Sequence, residues 1–130
     1  MGATGNAARY VLIVDNQAIQ AAQLERQLRY LGLTVRVAKT GAGALKRLEE
    51  HTPDLVLLEV NLSDMDGLEV VDFMRNDPKS YRVPVIAMSA LPHNRDRCLQ
   101  SGCNEFIQKP FRVIELAIRL RKSLPPRVSP

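Results

Sequence analysis

Leu55-Val56-Leu57-Leu58 is an apolar run that stops at an acid, Glu59, and gives way to a polar loop with three turn formers, Asp64, Asp66 and Gly67. A run this short and this uniformly apolar reads as a strand buried on both faces, which is how parallel sheets covered by helices are written. The loop leads into a helical pattern, Leu68, Val71 and Met74, opened by Asp66 and Glu69 at capping-box spacing. In open parallel sheets, ligands and chemistry collect in the crevice outside the carboxyl ends of the strands. Glu59 stands at such an end.

The rest of the chain repeats the alternation. Tyr10 to Val14 reads as a first buried strand, ending at Asp15-Asn16-Gln17. Ala21, Leu24, Leu28 and Leu31 recur at helical spacing up to Gly32, a C-cap. Thr34 to Ala38 is rich in β-branched residues and reads as a second strand. Thr40 is placed to N-cap a helix carrying Ala44, Leu45 and Leu48, closed off by Pro53. Val83 to Met88 predicts a fourth strand and Glu105 to Gln108 a fifth. Between them, Leu91 to Ser101 has few apolar positions, so any helix there is weakly anchored. A last helix is predicted over about Arg112 to Leu124, with Val113, Ala117, Leu120 and Leu124 inward. Five strand–helix alternations imply one parallel sheet flanked by helices.

The stretch from Pro53 to Gly67 closely resembles the phosphoacceptor segment of response-regulator receiver domains, the switch modules of two-component signalling. The family pattern is a strand ending in aspartate, then a loop ending Met-Asp-Gly. Here Met65-Asp66-Gly67 is present, the aspartate position holds Glu59, and the usual loop proline is Ser63. The resemblance runs from about Tyr10 to Leu124. It implies an α/β fold: a single (βα)5 flavodoxin-like doubly wound parallel sheet with strand order 2-1-3-4-5.

Composition agrees with one globular domain. The 130 residues are 45% hydrophobic and 25% charged, enough for a real core. We expect a receiver-like domain over 9–124, a flexible N-terminal segment over 1–8 and a flexible proline-containing tail over 125–130. No apolar run approaches the roughly 18 residues of a membrane span, and the start lacks the basic and apolar regions of a signal peptide. Cys98 and Cys103 make neither a disulfide framework nor a metal cluster, so the expected setting is a reducing cytoplasm.

The resemblance carries roles onto single residues. An acidic pair after the first strand helps hold magnesium in the family; here it reads Asp15-Asn16, with one carboxylate replaced by an amide. Magnesium relies on one or two carboxylates plus phosphate oxygens and waters, so Asp15, Glu59 and the Asn61 backbone carbonyl offer at most a weak site. No resident cofactor is expected. Glu59, the phosphoacceptor equivalent, reaches roughly 1.5 Å, one C–C bond, farther than aspartate. It fills space an incoming phosphoryl group needs and mimics an acyl phosphate incompletely, with one charge against nearly two. Ser89 matches the family's phosphate-contacting hydroxyl and Lys109-Pro110 its lysine–proline pair. Taken alone, Ser89 is a turn residue, Lys109 a solvated lysine and Asp15 a capping residue. Their order and spacing with Glu59 argue against coincidence. Phe106 occupies the position of the switch aromatic. Lacking a polar tip, it is expected to be buried, worth about 1.5–3 kcal/mol relative to exposure.

Charge links these departures. Asp15, Glu59 and Lys109 sum to minus one, and Lys109 is expected to pair with Glu59 without metal or phosphate. No catalytic residue is assigned, and the chain is not read as an enzyme. The expected function is an atypical, phosphorylation-independent receiver that contacts another signalling protein: a histidine kinase, an output domain or an adaptor. A homodimer is left open. The alternative is a receiver phosphorylated on Glu59 or a nearby aspartate. From Lys109 to Pro130 the chain carries plus five, so the remainder carries minus one against the total of plus four. Arg112, Arg119 and Lys122 are predicted to share an outward stripe that, with Arg95, is the candidate partner face. Nucleic-acid or anion binding is a second alternative for that stripe, but no recognition helix or aromatic platform accompanies it.

Overall fold

The computed structural model describes residues 9–124. Five strands alternate with five helices: β1 (Tyr10–Val14), α1 (Ala18–Tyr30), β2 (Thr34–Ala38), α2 (Gly41–Glu50), β3 (Leu55–Glu59), α3 (Gly67–Arg75), β4 (Val85–Ser89), α4 (Asn94–Gln100), β5 (Glu105–Gln108) and α5 (Val113–Ser123). All pairings are parallel and the order is β2-β1-β3-β4-β5, the flavodoxin-like arrangement expected. The predicted flexible segments, 1–8 and 125–130, lie outside the described residues.

Side-chain alternation along the central strands sorts the core into two layers. Leu12, Val14, Val56, Leu58, Val85 and Ala87 pack with Ala44 and Leu48 of α2, Val71 and Met74 of α3, and Cys98 of α4. Val11, Ile13, Leu55, Leu57, Ile86 and Met88 pack with Leu24 and Leu28 of α1 and Leu116 and Leu120 of α5. Every residue of β1, β3 and β4 is buried. That is why these strands read as unbroken apolar runs. Among the described residues no helix is long and apolar enough to cross a membrane.

The helix ends follow their local chemistry. Thr40 Oγ1 accepts from Gly43 N at 2.9 Å, and Asp66 and Glu69 form the capping box of α3. Gly32, at φ +89°, takes the left-handed position after α1. Arg75, at the end of α3, donates to the carbonyls of Gly102 and Val83 at 2.8 Å each, pinning two loops beneath the sheet.

Two expectations need correcting. The inner face of α5 is Leu116, Leu120 and Leu124, while Val113 is 42% exposed and Ala117 half-buried. The first turn of α5 lies beside the β5–α5 loop, beyond the sheet, so Val113 has no core to enter. Phe106 is half-buried, packed against the α2–α4 layer. It sits on an edge strand under a helix of only seven residues, which covers it incompletely. The segment after β4 forms a short helix with few buried anchors, in line with its sparse apolar positions: Cys98 and a polar residue, Asn94.

Candidate functional site

Three strand ends converge at the C-terminal edge of the sheet. β1 delivers Asp15, whose own N–H donates to Ala38 O at 3.0 Å. β3 delivers Glu59 and β5 delivers Lys109, whose N–H donates to Ser89 O at 2.8 Å. The Lys109–Pro110 peptide is cis. Lys109 Nζ donates to Glu59 Oε1 at 2.7 Å and to Asp15 Oδ2 at 2.9 Å. The remaining carboxylate oxygens are also bonded: Glu59 Oε2 accepts from Asn61 N at 2.9 Å and Asp15 Oδ1 from Gln17 N at 3.0 Å. The lysine, glutamate and aspartate side chains are only 9%, 6% and 0% exposed, so water screens these contacts little. The expected Glu59–Lys109 pair is present, and Asp15 joins it as a third member.

Ser89 Oγ is equally engaged. It accepts from Leu91 N and from Asn94 Nδ2, both at 3.0 Å, and lies 3.4 Å from Asn61 Oδ1. From Asn94 the network continues: Arg97 Nη2 donates to Asn94 Oδ1 at 3.3 Å, and Arg97 Nη1 to Asp66 Oδ2 at 2.6 Å. Asp66 forms an isolated bridge with Asn61. The bonds thus run from Ser89 through α4 to the start of α3 and back to the pocket. Burial pushes the Asp66 carboxyl up, but the Arg97 guanidinium and the Leu68 N–H outweigh it and hold the group below its usual value.

The loop after β3 is clamped on its far side as well. Gly41 N and Ala42 N, at the start of α2, donate to Asp64 Oδ1 and Oδ2 at 2.9 and 3.0 Å. These bonds hold the Asp64 carboxyl below its ordinary value. Gly67 is required where the loop folds back, because a Cβ there would run into the carbonyl oxygens of Glu59 and Val60. The two cysteines are buried outside this site, and burial pushes the Cys103 thiol up to about 12.

The family resemblance implies magnesium, and the residues present do not fit it. Both carboxylates face an ammonium, Glu59 Oε2 is held by a backbone N–H, and Asn16 offers only an exposed neutral amide. Among the described residues no group of three or more His, Cys, Asp or Glu side chains is placed to hold a metal ion. Asn61 is brought to the pocket by its backbone N–H, as well as by its side-chain oxygen near Ser89.

The basic face is less coherent than its spacing predicts. Arg95, Arg112 and Lys122 are exposed. Arg119 is half-buried, with Nη1 donating to Glu115 O at 3.2 Å and Nε 3.9 Å from Glu105 Oε1. It turns toward the edge of β5 and leaves the stripe. Sequence reasoning missed Asn94, Arg97 and the clamping role of Asp64. Asp64 was legible only as a turn former, and no local signal marks the other two.

Comparison with known proteins agrees with this geometry. The model of the response regulator receiver domain matches residues 11–121. The transcriptional regulatory protein PrrA of Mycobacterium tuberculosis is 37% identical over 126 residues, covering 93% of this chain and 52% of PrrA. The transcriptional regulatory protein KdpE of the same species is 35% identical over 116 residues, covering 88% and 50%. The chain thus spans about half the length of these curated relatives. Among solved structures, the receiver domain of the sensor histidine kinase PA1611 from Pseudomonas aeruginosa superposes with a TM-score of 0.83 at 31% identity, covering 90% of this chain and 98% of that one. That structure holds a magnesium ion in its active-site cleft. A putative response regulator from Chloroflexus aurantiacus gives 0.85 at 28% identity, covering 88% and 96%. Since the match extends from β1 into α5 and the strand order is the same, this chain belongs to the response regulator receiver domain family of two-component signalling.

Proposed function

We propose that this receiver is a phosphorylation-independent protein–protein interaction module in signal transduction, a binding domain with no catalytic residue of its own. The observation that carries the reading is the double engagement of Lys109 by Glu59 and Asp15 at 2.7 and 2.9 Å. A switch responds only to a ligand that interacts differently with its two states. Here the cation that would meet a phosphoryl group already has two carboxylates, and the acceptor carboxylate has a donor on each oxygen. With Lys109 shared between Asp15 and Glu59 the cluster keeps a net charge of minus one, which disfavours a further anion.

The partner is another signalling protein: a histidine kinase, an output domain or an adaptor. Transcriptional regulation in the names of PrrA and KdpE, and a histidine kinase in that of PA1611, support this range. Arg95, Arg112 and Lys122 are the exposed charges that such a partner would meet.

A second reading, phosphate acceptance on Glu59, is supported by Asp15, Ser89 and Lys109 standing at the family's positions. The nearby aspartates are poorer candidates, since Asp64 caps α2 and Asp66 is paired with Arg97. Incubation with acetyl phosphate and magnesium, read by intact mass, separates the two. We expect no gain, and partner affinity unchanged by beryllofluoride. A stoichiometric phosphoryl gain labile to hydroxylamine selects the second reading.

A further inference from the structure

The pocket floor opens into a cleft of about 560 Å3 between α1, the β4–α4 loop and the β5–α5 loop. Its size falls in the ordinary range for small-molecule sites. One wall is a row of side-chain amides: Asn16 and Gln17 before α1, then Gln20, Gln23 and Gln27 along it. Positions 20, 24 and 27 share a helix face, so buried Leu24 sits between two of these amides. Among the described residues, none of these five side-chain amides is bonded within the protein. Each carries two donors and an acceptor.

The opposite wall is apolar: Leu91, Pro110, Phe111 and Val113. Leu91 and Val113 are 43% and 42% exposed, and Val113 is the residue whose pattern predicts burial. Apolar side chains turned to a cleft where a core position was expected mark a place at which packing has been left incomplete. Among the described residues the charged side chains lining the cleft are Glu59 and Lys109, bonded to each other, with the lysine also held from behind by buried Asp15. An anion entering would face Glu59 and a lysine already engaged. A cation would face that lysine. The uncommitted groups are neutral, with both donors and acceptors, facing an apolar surface.

We propose that this cleft binds an uncharged, planar aromatic small molecule bearing carbonyl, amide or hydroxyl groups, seated between the α1 amide row and Leu91, Phe111 and Val113. The bound molecule would lie against Lys109 and Glu59 and bridge α1 to the loops on either side of α4 and β5. It therefore offers this receiver a chemical input other than phosphate. The site goes beyond the phosphorylation-independent reading and does not rest on it, because the amide row and the apolar wall line the cleft whether or not Glu59 can be modified.

The probe is 2-naphthamide, with 2-naphthoate as its anionic counterpart of nearly the same shape, titrated into the 15N-labelled full chain at pH 7. Side-chain NH2 signals of the glutamines report directly on the amide wall. We expect saturable shifts at Gln20, Gln23, Gln27, Leu91 and Phe111, with a Kd on the order of 1 mM for a probe this small. Naphthoate should bind at least tenfold more weakly. Gln20→Ala with Gln27→Ala, one at an exposed and one at a half-buried position of a helix that tolerates alanine, should weaken naphthamide at least fivefold, whereas Ile114→Ala, which with Ile118 is exposed beside a separate pocket of α5, should not. The proposal is overturned by non-saturating shifts, by naphthoate binding as tightly as naphthamide, or by shifts centred on Ile114 and Ile118. Undiminished binding to the double variant overturns it too. Acetyl phosphate labelling of the same sample reports on the phosphorylation question separately, so failure of one does not imply failure of the other.

Discussion

Asn94 donates its side-chain amide to Ser89 Oγ at 3.0 Å, tying the hydroxyl at the end of β4 to the first turn of α4. Asn94 is 4% exposed and α4 is only seven residues long. A short helix with few apolar anchors depends heavily on such a contact. Asn94→Ala should therefore cost about 1–3 kcal/mol, the usual penalty for removing one partner of a buried hydrogen bond. Urea unfolding measures the loss. Amide exchange over 90–101 should rise while β1 and β3 keep their protection. Exchange that rises equally everywhere would mean Asn94 supports the fold and has no special hold on α4.

Removing Lys109 should hurt more than removing the Glu59 charge. Lys109→Met leaves two buried carboxylates without their cation, a change that costs about 3–5 kcal/mol when a buried pair is broken. Glu59→Gln leaves Lys109 bonded to Asp15 and keeps a side-chain oxygen for the ammonium. The midpoint of urea unfolding at pH 7 should fall clearly further for Lys109→Met. Equal losses would show that the two acids are better solvated than their burial implies.

Acid should remove stability through Asp64 and Asp66. Both carboxyls lie below their ordinary value in the folded chain, so the unfolded chain binds more protons as pH falls. The stabilisation is complete above an unfolded value of about 3.9 and is lost as pH drops through the lower folded values. Asp64→Asn removes one of these two lowered carboxyls. Its unfolding midpoint should fall less steeply than the parent's between about pH 4 and pH 2. An unchanged slope would mean the bonds from Gly41 and Ala42 do not favour the charged form.

Asn16→Asp combined with Glu59→Asp should raise magnesium affinity more than either change alone. The first adds a carboxylate at an exposed position and the second draws the acid back from Lys109 Nζ. A hard cation then sees two carboxylates with room for water. Calorimetric titration of the four chains gives the coupling directly. Strict additivity, or no gain at all, would mean the loop from Val60 to Gly67 holds its carbonyls out of reach.

Much of this molecule is legible in one dimension. Leu55–Leu58 reads as a doubly buried strand because both its faces meet apolar layers, so no polar residue interrupts it. Thr40 and Asp66 read as caps because capping is a contact across two or three residues of chain. Lys109 was expected near Glu59 only through the family pattern, since nothing local to position 109 distinguishes a buried lysine from a solvated one. Asn94 and Arg97 were invisible for the same reason: their partners, Ser89 and Asp66, lie 5 and 31 positions away, on other elements.

The alternation of buried runs and helical stripes was sufficient to set five strands, their two covering layers and the edge at which Asp15, Glu59 and Lys109 emerge. Those features depend on burial averaged over an element, and an average survives in composition and period. Which groups touch at that edge was settled by the fold. Lys109 meets Asp15 across 94 positions and Glu59 across 50. Phe106 stays half-buried because β5 ends the sheet, Val113 faces a cleft because α5 begins beyond it, and Arg119 leaves its stripe for Glu105. A single contact depends on the crossing of separate segments in space. No local pattern carries that information.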